Sequence, residues 1–148
     1  MVLGALGVCL TLAAAPGVPP RFVPVRAFTL AWTHSIEKIR WEEDYTVQAD
    51  PDGRPTLIPG QARIRGSGAG MEPPPDAVLR RDGWYVYQPH TRPLDELRLT
   101  RSPYVADYDW CVDGRCEPLR AVMPTDGDVT LLRPCTGPQP SARSGPVQ

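Results

Sequence analysis

FTLAWTHSIEKIRWEEDYTV, residues 28–47, alternates bulky and polar side chains with a period of two, the signature of β-strands. Even positions Phe28, Leu30, Trp32, His34 and Ile36 form one row, and odd positions Ile39, Trp41, Glu43, Tyr45 and Val47 form another. The parity changes near Glu37 and Lys38, which places a turn or bulge there. His34 and Glu43 therefore share a face with large hydrophobic residues, where an imidazole and a carboxylate need partners. A two-residue hairpin would set His34 opposite Trp41 and Trp32 opposite Glu43, making His34 and Glu43 diagonal neighbours. Glu37-Lys38 is a poor type I′ pair, so a longer turn is the alternative.

A second hairpin is marked by YDWCVDGRCEPL, residues 108–119. Asp113-Gly114 is a preferred type I′ pair, which sets Val112 opposite Arg115 and Cys111 opposite Cys116. Cysteines at that non-hydrogen-bonded position approach to about 4.5 Å between Cα atoms, so a disulfide between Cys111 and Cys116 is expected. A zinc site would need further ligands, and Cys135, His34 and His90 are scattered along the chain. Neither metal nor cofactor is expected.

Turn formers punctuate the rest. Asp50-Pro51-Asp52-Gly53-Arg54-Pro55 ends the opening strand pair. Thr56 to Arg65 sets Ala62 and Ile64 against Arg63 and Arg65 on opposite faces, interrupted at Pro59-Gly60. Strands follow at Gly83 to Gln88 and Leu94 to Arg101, with an edge strand at Val129 to Leu132. Proline and glycine recur too often for long helices. The fold class is all-β: a small antiparallel sandwich or open barrel with a disulfide-pinned hairpin.

The 148 residues suit one domain. With 16 basic and 17 acidic side chains and no basic stripe, nucleic acid is not an expected partner. Val2 to Ala15 is apolar and small, resembling the centre of a secretory signal and short for a membrane span. The expected division is a signal peptide or membrane anchor over 1–20, a β-domain over 21–133 and a disordered tail over 134–148. No basic residue precedes the apolar run, and Val8 before Cys9 argues against lipid attachment. Cys135 would be unpaired unless Cys9 survives processing. The expected location is extracytoplasmic: periplasmic, secreted or tethered to the membrane.

The runs WTHSIEKIRWEEDY, RIRGSGAGMEPP and SPYVADYDWCVDGRCEPL resemble an uncharacterised bacterial "domain of unknown function" family. Its members are small exported proteins often encoded beside TRAP-type transporters that use TAXI solute receptors. The likeness covers about Phe28 to Leu119. The family's His-Ser-x-Glu motif falls on His34, Ser35 and Glu37, a following acidic residue on Glu43, and its Gly-rich motif on Gly66, Gly68 and Gly70. The resemblance implies an exported or tethered accessory protein, with a TAXI receptor or TRAP membrane subunits as partners.

His34 and Ser35 are adjacent, and strand neighbours point to opposite faces, which removes a serine-histidine pair. Gly66-Ser67-Gly68-Ala69-Gly70 matches neither a nucleophile elbow nor a P-loop. The expected site is a ligand or partner surface formed by His34, Glu37 and Glu43 with Gly66, Ser67, Gly68 and Gly70, whose amides suit a small anionic ligand. The alternative is an enzyme using a His/Glu acid-base pair. Trp84, Tyr85 and Tyr87 are expected to pack in the core or on one sheet face.

Overall fold

The computed structural model describes residues 4–33, 38–65, 74–89, 92–125 and 127–139. Two antiparallel sheets pack face to face without closing into a barrel. The smaller runs β2 (Arg21–Val23), β1 (Ala5–Leu12), β11 (Asp128–Gly137), β8 (Leu97–Arg101). The larger runs β10 (Arg115–Pro118), β9 (Asp109–Val112), β3 (Ala27–Thr33), β4 (Arg40–Ala49), β5 (Pro55–Arg65), β7 (Trp84–Tyr87), β6 (Val78–Leu79). A single helical turn, α1 (Leu119–Val122), follows β10. No helix among the described residues is long and apolar enough to cross a membrane.

The two rows read from residues 28–47 become one inward face. Phe28 pairs with Tyr45, Leu30 with Glu43 and Trp32 with Trp41. This corrects the register of the two-residue hairpin: Trp32 faces Trp41 and not Glu43, the last described pair is Thr33 with Arg40, and Lys38 adopts a left-handed φ of 60°. The inward side chains meet Val8, Leu10, Leu99 and Leu132 of the small sheet. Leu10, Leu30, Leu57, Leu119 and Leu132 are almost wholly removed from water. Each such side chain contributes about 1.5–3 kcal/mol through burial.

The cysteine hairpin forms as expected. Asp113 and Gly114 have φ of 53° and 79°, Val112 opposes Arg115, and Cys111 is bonded to Cys116. Interruption at Pro59-Gly60 is a bulge, where the β4–β5 register shifts between Glu43 and Tyr45.

The ends of the chain differ from expectation. Residues 5–12, read above as part of a leader, form β1, paired with β2 on one side and β11 on the other. Leu6, Val8, Leu10 and Leu12 alternate with Gly7, Cys9 and Thr11, so an apolar run carries a strand period. Val129 to Leu132 is not an edge: β11 lies between β1 and β8 and continues to Gly137, into the stretch read as tail. β8 accompanies it only as far as Leu132, which leaves Pro134 beside an open edge where proline is tolerated.

Cys135 is therefore not left over. β1 and β11 pair Gly7 with Cys135 and Cys9 with Arg133, placing the cysteines diagonally, and Cys9 is bonded to Cys135 with Cα atoms 6.0 Å apart. Phe22 lies over Gly7 and Gly137, where a Cβ on either glycine would collide with its ring. Two disulfides fit an oxidising, extracytoplasmic environment.

Candidate functional site

The large sheet has seven strands and the small one four, so part of its inner face lies outside the shared core. The β4–β5 and β5–β7 registers set Trp41, Glu43, Ala62, Ile64, Tyr85 and Tyr87 on that face. Trp32 stacks against Trp41 with centroids 6.0 Å apart and meets Tyr108 edge-on at 5.9 Å. The Trp41 indole Nε1 is buried and has no hydrogen-bond partner among the described residues.

Glu43 is the acidic member of this aromatic region. The Tyr45 hydroxyl donates to its Oε1 at 2.7 Å, a contact possible because residues two apart on a strand share a face. Burial, followed by the Glu43 charge, raises the pKa of Tyr45 far above the ordinary phenol value and keeps that donor protonated. Tyr87 and Tyr108 are raised in the same direction, by burial first and by Glu43 next. Tyr45 is the phenol in direct contact with the carboxylate. Beside the β5 bulge, Glu43 and Tyr45 also line a hollow of about 80 Å³ with Pro59, Gly60 and Leu94.

The outer face of the same strands carries a different arrangement. Arg63 grips Asp44 through two hydrogen bonds of 2.9 Å and donates to Glu42 at 3.1 Å. Arg40 bridges Glu42 and Asp109, each at 3.0 Å, and Thr29 donates to Asp44 at 2.7 Å. A groove of about 540 Å³ runs over this network, with the Cys111–Cys116 hairpin at its side. Each of its two arginines bridges two carboxylates, so the network clamps β3, β4, β5 and β9 together.

Burial works against ionisation of Asp44, and the hydrogen bonds from Arg63 and Thr29 outweigh it, leaving its pKa below the usual carboxylate value. A lowered folded pKa adds stability above the unfolded value near 3.9 and withdraws it as the pH falls further. Asp44→Asn is expected to lose about 1 kcal/mol at neutral pH, given partial exposure of the group. It should also flatten the acid-induced loss of stability below about pH 4. Urea unfolding at successive pH values checks this; parallel curves for the two proteins would refute it.

Of the residues expected to form the site, Glu43 occupies the inward position foreseen for it. His34, Glu37, Gly66, Ser67, Gly68 and Gly70 lie outside the described residues. The strands leading into those segments end together: Thr33 pairs with Arg40, Trp41 with Ile64, and Arg65 with Trp84. Tyr85 and Tyr87 face inward as expected, while Trp84 faces outward with the Arg65 guanidinium 5.7 Å from its ring centroid. Sequence reading passed over Tyr45 as the partner of Glu43 and over the Arg40–Glu42–Arg63–Asp44 network. The even-numbered charges of β4 were the available signal for the latter.

Among the described residues no group of three or more His, Cys, Asp or Glu side chains could hold a metal ion. No curated protein and no solved structure matches the chain. Over residues 28–119, from the first core strand of the large sheet through the cysteine hairpin to α1, the chain matches one family model, and it belongs to that family, the domain of unknown function DUF1850.

Proposed function

We propose that this protein is a non-catalytic binding domain working outside the cytoplasm, with its site at the Glu43 end of the large sheet. The observation that carries the reading is a half-buried carboxylate, held by the Tyr45 hydroxyl, on the inner face of the large sheet near the stacked Trp32 and Trp41. Polar groups retained in such surroundings commonly serve recognition. His34, Glu37, Gly66, Ser67, Gly68 and Gly70 would complete the surface, since the strands that lead into them end beside one another. The two disulfides support an extracytoplasmic setting. The partner is a TAXI solute receptor or a TRAP membrane subunit, on the strength of the sequence resemblance alone.

The test is affinity capture of the protein from native membranes with identification of what it retains. Recovery of a transport component, reduced for His34→Gln in a folded protein, is the expected result. Failure to recover any transport protein would remove the transporter assignment. A measurable turnover lost in His34→Gln would overturn the non-catalytic reading.

A further inference from the structure

We propose that the hollow beside the β5 bulge is a subsite for a small organic cation, with Glu43 receiving an alkylammonium head group. This rests on the binding-domain reading and names the chemistry of one part of its site. The hollow has a volume of about 80 Å³, between two and three times the ~30 Å³ share of one water molecule. That is room for a head group and not for an entire metabolite.

Its walls are rich in acceptors. Glu43 brings a carboxylate of which one oxygen takes the Tyr45 hydroxyl. Register mismatch at the bulge turns backbone polar groups of β5 away from the ladder. The Gly60 carbonyl accepts from the exposed Gln88 side chain at 3.0 Å, so this wall residue turns its oxygen to a side chain and not into the strand ladder.

The cations of the neighbouring strands are engaged elsewhere. Arg40 and Arg63 lie on the opposite face, committed to Glu42, Asp44 and Asp109. Arg101 is committed to Asp107. Among the described residues, then, Glu43 is hydrogen-bonded to a phenol and paired with no cationic side chain. A carboxylate beside the Tyr45 ring attracts an ammonium by charge and by the ring quadrupole together. The glycine amides at 66–70 suggested an anion; the described walls have the opposite sign.

The experiment is titration of the intact protein with methylammonium and n-butylammonium, and separately with succinate, followed by calorimetry and by tryptophan fluorescence. Saturable binding of the alkylammonium ions is expected, weakened about tenfold or more in Glu43→Gln, the scale of one charge-assisted hydrogen bond. Glu43→Asp keeps the negative charge and should bind more tightly than Glu43→Gln, which provides a reading even where Glu43→Gln fails to fold. Absence of saturation, equal affinity in Glu43→Gln, complete loss of binding in folded Glu43→Asp, or saturation by succinate alone would each overturn the subsite. Capture of a transport partner by a protein that binds no ammonium would sink this inference and leave the binding-domain reading standing.

Discussion

Replacing Cys9 and Cys135 together by serine is expected to cost the fold about 5 kcal/mol, against about 2 kcal/mol for the pair Cys111 and Cys116. The difference follows from the loops they close. Sequence separations of 126 and 5 residues remove very different amounts of freedom from the unfolded chain. The long bond also fastens the two central strands of the small sheet, and Val8, Leu10 and Leu132 of those strands are fully buried. Domains of this size are stable by only about 5–15 kcal/mol, so its loss approaches the whole margin. Urea unfolding of the oxidised protein and of both serine pairs checks the order. A smaller loss for the Cys9/Cys135 pair than for the Cys111/Cys116 pair would refute it. Alkylation before and after reduction establishes that all four cysteines are paired at the outset.

That bond also marks where sequence reading stopped. Local signals carried the interior: the Asp113-Gly114 turn fixed the pairing of Cys111 with Cys116, and the period of two in residues 28–47 turned Glu43 inward. Pairing of Cys9 with Cys135 has no local signal, because it depends on β1 and β11 meeting across the length of the chain. An apolar stretch near a start resembles an export signal whether or not it folds, and its hydrophobic content hid the alternation of Val8 and Leu10 with Gly7 and Cys9. The site was legible to a similar degree. Glu43 was found by its place in an apolar row, whereas its partner Tyr45 was counted as plain core, since a phenol facing inward gives no sign of what it will hold.

Arg101 was invisible for the same reason, and its removal from balance should produce the other large effect. It is buried on β8 and donates to Asp107 through two bonds of 3.0 Å, to the Met123 carbonyl at 2.9 Å and to Thr130 at 2.9 Å. Asp107 in turn accepts the backbone N–H of Tyr108 and of Arg120. The guanidinium thereby joins β8 and β11 of the small sheet to the segment that enters β9 of the large one. Asp107→Ala strips two acceptors from a buried charge and removes the partner of the Tyr108 amide, so a loss of about 3–5 kcal/mol is expected. The double change Arg101→Met with Asp107→Leu deletes the charge along with its partner and should cost less than Asp107→Ala alone, because no uncompensated ion is left in the interior. Denaturant midpoints of the single and double variants decide this. A double variant less stable than Asp107→Ala would mean that the pair holds the sheets together by its hydrogen-bond geometry, with relief of an isolated charge a minor part of the balance.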